Sequence, residues 1–65
     1  MSDLNTQLNV ARPDDIYEQL IGLHAGLTDA QSQRVNARLI LLLINHIGDE
    51  RVVRQAMAAA RRVVA

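Results

Sequence analysis

The chain has 65 residues, of which 49% are hydrophobic and 22% charged, and its formal net charge is zero. A chain of this length forms one domain at most and buries only about 60% of its unfolded surface when it folds alone. It contains no cysteine, which excludes disulfides and thiolate metal sites as additional sources of stability. Tight packing or association with another chain must supply that stability instead.

The charges are unevenly distributed along the chain. Residues 1–33 contain five acidic residues and one arginine, a net charge of −4, whereas residues 34–65 contain six arginines and two acidic residues, a net charge of +4. The two halves can attract each other or simply face water. Alternatively, the second half offers a basic surface to an acidic partner. We favour the first interpretation.

The first twelve residues show no regular apolar pattern and predict an irregular N-terminal arm, residues 1–12, before a single helical domain, residues 13–65. Leu4, Leu8 and Val10 are the apolar side chains with which this arm can contact the helices. The arm is polar and lacks a basic start, so it does not resemble a secretory signal. We expect its position to depend on those few apolar contacts.

Helix 1 is predicted over about residues 14–25. Pro13 suits the first turn of a helix, because the N–H that proline lacks would have no partner there. Acidic residues follow at the positive end of the helix dipole. Gly26 is the predicted C-terminal stop. The acidic residues are Asp14, Asp15 and Glu18, and the apolar residues at helical spacing are Ile16, Leu20, Leu23 and Leu27.

Helix 2 is predicted over about residues 29–47. Its start is marked by a capping box, in which the Thr28 hydroxyl accepts from the backbone N–H of Gln31 and the Gln31 side chain reaches back. Gly48 ends it. The apolar run from Leu39 to Ile44 is far shorter than the roughly 20 residues of a membrane span. We therefore expect a soluble, cytoplasmic protein that does not contact a membrane.

Helix 2 carries more apolar surface than its two neighbours can readily cover. At about 100° per residue, its apolar arc is more than twice the roughly 100° that one neighbouring helix needs. The turns are short, so helices 1 and 3 are each expected to pack antiparallel to helix 2 in an up-down-up arrangement. The remaining polar strip consists of Gln31, Arg34, Arg38 and Asn45.

The flanking helices are expected to cover the face that contains Leu39, Leu43 and Ile40 and to leave the far edge of the arc open. An open apolar patch favours association. Asn36 interrupts the arc, and it is either hydrogen-bonded locally or paired across a helix–helix interface. The predicted association surface, which completes the fold by oligomerisation, consists of Ala37, Leu41, Ile44 and Asn36.

Helix 3 is predicted over about residues 50–63. Asp49 caps it, and Glu50 adds negative charge to its first turn. One side of this helix is apolar and the other is basic, and the basic side is either a solvated face or a surface that contacts phosphates. The basic face consists of Arg51, Arg54, Arg61 and Arg62.

The sequence shows no catalytic or metal-binding motif. It lacks a glycine-rich phosphate loop and a Ser/His/Asp set. His24 and His46 belong near opposite ends of helix 2, and no carboxylate has metal-ligand spacing to either histidine. A core this small also leaves little room for a catalytic pocket. We therefore expect a protein that is not an enzyme and needs no cofactor.

Two segments carry a resemblance to a known family. The strings PDDIYEQLIGLHAGL and NARLILLLINHIGD resemble a group of short bacterial proteins classed as a domain of unknown function. The resemblance extends from Leu8 to Arg62. It implies a small all-helical protein with no assigned activity, whose genes sometimes accompany those of flavin-dependent hydroxylases of aromatic catabolism.

Together these observations predict an all-α, three-helix protein that acts through protein–protein association. Its partner is expected to be a second copy of itself or another protein, for example a metabolic enzyme of which it is an accessory subunit. The alternative is a small nucleic-acid-binding regulator that uses the basic face. That alternative is disfavoured, because Tyr17 is the only aromatic residue and the net charge is zero.

Overall fold

The computed structural model of the chain describes residues 3–64, and in that range it contains three α-helices and no strand. Helix α1 is Pro13–Leu23, α2 is Asp29–Ile47 and α3 is Glu50–Val64. The predicted all-α class is confirmed. Residues 1 and 2 of the predicted arm and residue 65 of the predicted domain lie outside the described residues.

Helix α1 ends two residues earlier than its sequence predicts. Its last turn tightens, because the backbone N–H of His24 donates to the carbonyl of Ile21 at 3.1 Å and that of Ala25 donates to Gly22 at 3.1 Å. These bonds span three residues rather than four, which ends regular α-helix. Gly26 follows with φ of +76°, a left-handed conformation that glycine adopts without a steric penalty.

Helix α2 has the limits and the caps that the sequence predicts. The Thr28 hydroxyl accepts from the backbone N–H of Gln31 at 3.2 Å, and the Gln31 side chain accepts from the backbone N–H of Thr28 at 3.0 Å. At the other end, Gly48 has φ of +70° and donates its N–H to the carbonyl of Ile44 at 2.9 Å. Both ends of α2 therefore satisfy backbone groups that the helix leaves unpaired.

Helix α3 begins at the predicted aspartate cap. One Asp49 carboxylate oxygen accepts from the backbone N–H groups of Arg51 at 3.0 Å and Val52 at 3.3 Å. Glu50 in the first turn also pairs with Arg54 at 3.0 Å. The two-residue connection Gly48–Asp49 thus ends one helix and starts the next.

The N-terminal arm is attached to α3. The backbone N–H of Leu4 donates to Gln55 Oε1 at 2.7 Å. The Asp3 carboxylate accepts from Arg51 Nε at 3.0 Å and from Gln55 Nε2 at 3.1 Å. Leu4 is half-buried there, whereas Leu8 and Val10 are exposed. Only the beginning of the described arm therefore contacts a helix through these bonds.

The three helices do not enclose a core in the single chain. None of the described residues is buried, and no Cα atom of α1 lies within 8 Å of a Cα atom of α2 or α3. The expected packing of helix 1 along helix 2 is therefore not seen. Leu39 is half-buried as expected. Ile40 and Leu43 are 55% and 51% exposed, so the prediction that the flanking helices cover these two side chains was wrong. The reason is that α1 does not lie along α2, and α3 comes close to α2 only over a short stretch.

Candidate association surface

The most prominent surface feature is the apolar side of α2. Four consecutive side chains, Ile40 to Leu43, are each more than half exposed. They point in successive directions around the helix, because neighbouring residues are about 100° apart. Exposed aliphatic side chains on several sides of one helix are typical of a helix with more than one neighbour. Within residues 3–64, α3 forms one groove with this helix, and the end of α1 forms another.

The structure separates the four residues of the predicted association surface. Ala37, Leu41 and Asn36 are exposed on α2, and Leu41 is 63% exposed. Ile44 is half-buried and lines a groove between α2 and α3 together with Val53. The first three residues are therefore accessible to a partner, whereas Ile44 partly contributes to the contact between two helices of its own chain.

A second groove lies between the end of α1 and the first half of α2, and we call it the α2 groove. It has a volume of about 510 Å³ and is open to solvent. Arg34 and Arg38 also line it, and neither has an ion-pair partner among residues 3–64. Its apolar lining consists of Leu23, Leu27, Val35, Leu39 and Leu42.

The basic face of α3 is already partly neutralised. Arg51 forms an ion pair with Asp3 at 2.9 Å, and Arg54 forms one with Glu50 at 3.0 Å. Arg61 and Arg62 have no carboxylate partner within the described part of the chain and lie in the last turn of α3, where they favourably face the negative end of the helix dipole.

The two histidines occupy helix ends. His24 follows α1 and is half-buried, and its Nδ1 atom is buried without a hydrogen-bond partner among residues 3–64. His46 is exposed in the last turn of α2. Across the described range, no three His, Asp or Glu side chains form a group that could hold a metal ion. In the same range, no helix combines the length and apolarity needed to cross a membrane.

The accessible surface area of the single chain is larger than that of a compact protein of the same mass. It amounts to 6001 Å². A compact monomer of 7.2 kDa is expected to expose about 4100 Å², so the chain exposes about 1900 Å² more than that. Much of the excess is aliphatic, since large hydrophobic residues on all three helices are exposed.

Two parts of this surface were not anticipated from the sequence. Asp3 and Leu4 bind α3 through residues that lie about 50 positions further along the chain, and no local sequence pattern predicts these contacts. The α2 groove depends on the angle at which α1 leaves α2, which a helical wheel does not contain. The available signal was the pair Arg34 and Arg38, which forms one polar edge beside an apolar lining.

The chain was compared with known proteins and families. No curated protein and no solved structure shows a significant match to it. A family described as a protein of unknown function (DUF2783) matches residues 4–62, which includes all three helices except the end of α3. The match agrees with the resemblance carried by the two strings of the sequence. The chain therefore belongs to this family of small proteins of unknown function, DUF2783.

Proposed function

We propose that this protein is not an enzyme and acts through protein–protein association, with α2 near the centre of the interface. The observation that carries the proposal is the absence of any buried residue between positions 3 and 64, in a chain where α1 and α3 each have an apolar side and α2 is apolar on several sides. An amphipathic helix gains most of its stability from packing of its apolar side. A partner chain would supply that packing.

The free energy that burial of the α2 side chains would release is large enough to stabilise an interface. Burial of a large aliphatic side chain stabilises by about 1.5–3 kcal/mol relative to full exposure. Ile40, Leu41, Leu42 and Leu43 are half to two-thirds exposed, so much of this contribution is still available to an interface. Several such side chains together would contribute as much as a small domain's whole net stability, about 5 kcal/mol or more.

The partner is either a second copy of the chain or another protein. The resemblance of the sequence to a family whose genes sometimes accompany those of flavin-dependent aromatic hydroxylases favours a role as an accessory subunit of such an enzyme. The up-down-up packing of the three helices would then be completed in the assembly rather than in the single chain. An affinity purification from the native organism, followed by mass spectrometry, would identify a partner other than the chain itself.

The nucleic-acid alternative has less support. Phosphate contacts require arginines that are free to approach the backbone. Two of the four arginines of the basic face, Arg51 and Arg54, are paired with carboxylates of the same chain. The exposed aliphatic side chains of α2 have no role in such a regulator.

The test is the molar mass of the protein at about 100 μM, measured by light scattering coupled to size exclusion, because association depends on concentration. We expect an oligomer, and we expect Leu41→Glu to reduce its mass while circular dichroism still reports residual helix. Leu8→Glu is the control, since Leu8 is 79% exposed on the arm and should leave the oligomer intact. A stable monomer, together with an equally stable Leu41→Glu variant and no co-purifying protein, would contradict the proposal.

A further inference from the structure

Building on the proposed function, we infer that the α2 groove is the docking site for helix α1 of a second copy of this chain, with the contact made twice in a symmetric dimer. The acidic residues of the incoming α1 would lie beside Arg34 and Arg38. Its apolar side would contact the aliphatic lining of the groove. The α1 of the first copy would occupy the groove of the second in the same way.

Helix α1 has the length that the groove requires. The groove follows α2 from Gln31 to Leu42, and α1 has 11 residues. At about 1.5 Å per residue, both the groove and α1 are about 16 Å long. One α1 helix therefore fills the groove from end to end.

Within the described residues, helix α1 does not pack lengthwise against either of the other two helices. No Cα atom of α1 approaches α2 or α3 within 8 Å. Ile16 is 51% and Ile21 57% exposed, although α1 has a distinct apolar side. The turn after α1 directs it away from α2: its last residues are bonded to each other, and Gly26 is left-handed. The groove beside it thus stays open to a helix from outside the chain.

The charges of the two surfaces are complementary. Within its limits, α1 contains Asp14, Asp15 and Glu18 and no basic residue. The lining of the groove includes Arg34 and Arg38, whose guanidinium groups have no carboxylate partner in the described residues. Opposite charges across an interface fix its orientation and disfavour wrong partners. A second copy carries both surfaces, so each copy satisfies the other.

The area agrees with such a dimer. Each chain exposes about 1900 Å² more than a compact monomer of its mass, about 3800 Å² on two chains, and the two α1–groove contacts would cover part of this excess. Obligate homodimers bury roughly 2000–5000 Å² in total. A two-fold axis makes the two grooves equivalent, as expected for an isologous interface. The two α1 and two α2 helices would form a four-helix arrangement.

Charge reversal in two separate variants tests the inference. The α1 variant carries Asp15→Arg and Glu18→Arg, and the groove variant carries Arg34→Glu and Arg38→Glu. Each variant alone places like charges at both grooves. We therefore expect the dissociation constant of its dimer to rise at least about tenfold. A mixture of the two variants places opposite charges at both grooves. It should restore a dimer of wild-type affinity that contains one chain of each kind, detected by native mass spectrometry.

A fourth sample, with all four substitutions in one chain, distinguishes docking of α1 on a second copy from packing of α1 on its own α2. Rescue in this chain without rescue in the mixture would mean that α1 folds back onto its own α2, which overturns the inference. A wild-type dimer that neither variant weakens would also overturn it, although self-association would remain. A wild type that is monomeric at every concentration would overturn the inference and self-association together, and would leave association with a different protein.

Discussion

The α2–α3 connection and helix α1 differ in how firmly they are attached to the rest of the chain. Hydrogen bonds hold the connection and the helix after it. The N–H of Gly48 donates to the Ile44 carbonyl, the Asp49 carboxylate caps α3, and the N–H of Leu4 in the arm donates to Gln55 in α3. Helix α1 has a suitable composition, with a proline and two acidic residues in its first turn, but Arg12 before it makes no capping bond with its side chain. Local signals can form a helix without fixing its position.

The difference follows from where each segment finds its partners. At the connection, the groups that satisfy each other are at most four residues apart, apart from the contacts of the arm. Helix α1 has a whole apolar side to cover, and among the described residues only its end, around Leu23 and Leu27, lies beside α2. The helix with the least contact to its own chain is therefore the one that we propose docks on a second copy.

Substitution of Gly48 should have the largest effect at the firm connection. Gly48→Val should lower the free energy of unfolding by about 1–2 kcal/mol, because a left-handed conformation is unfavourable for a β-branched residue. The only neighbouring atom near a new Cβ would be the Asn45 carbonyl oxygen at 3.9 Å, so the cost comes from the backbone rather than from a clash. Urea unfolding followed by circular dichroism measures it.

Gly48→Asn is the matched control, since asparagine tolerates the left-handed region better than valine. We expect it to lie between wild type and Gly48→Val. Equal midpoints for the two variants would mean that φ at this position is not left-handed.

The corresponding change at the other turn, Gly26→Val, should chiefly loosen α1. We expect it to lower the mass of the oligomer while the helix content of α2 and α3 stays nearly unchanged.

The capping box of α2 should contribute somewhat less. Thr28→Ala removes the acceptor for the backbone N–H of Gln31, and we expect a loss of about 1 kcal/mol in the free energy of unfolding. The measurement is again a urea midpoint. Thr6→Ala in the exposed arm is the control, since the Thr6 side chain makes no hydrogen bond with any residue from 3 to 64. A cap variant with the midpoint of its control would show that α2 does not start here.

Local features of this fold could be read from the sequence, whereas packing could not. Thr28 and Gln31, Gly48 and Asp49 each act within four residues, and their predicted roles are confirmed. Ile40 and Leu43 were expected to be covered, because short turns normally bring antiparallel helices together. The tightened last turn of α1 sets a different direction, and its backbone geometry has no side-chain pattern that reveals it. The predicted surface at Ala37, Leu41 and Asn36 stays a prediction.

The smallest expected effect concerns the arm. Asp3→Asn removes the charge that pairs with Arg51, but these side chains are 67% and 50% exposed, so solvent screens the pair. We expect a loss of at most about 1 kcal/mol, which high salt should abolish. A more local readout is hydrogen exchange at the Leu4 amide, which donates to Gln55. Exchange should accelerate in Asp3→Asn but not in Asp29→Asn, a matched control in the first turn of α2 whose carboxylate makes none of these bonds. If exchange at Leu4 were unchanged, the hydrogen bond to Gln55 alone would hold the arm, and the firm region would not depend on its charges.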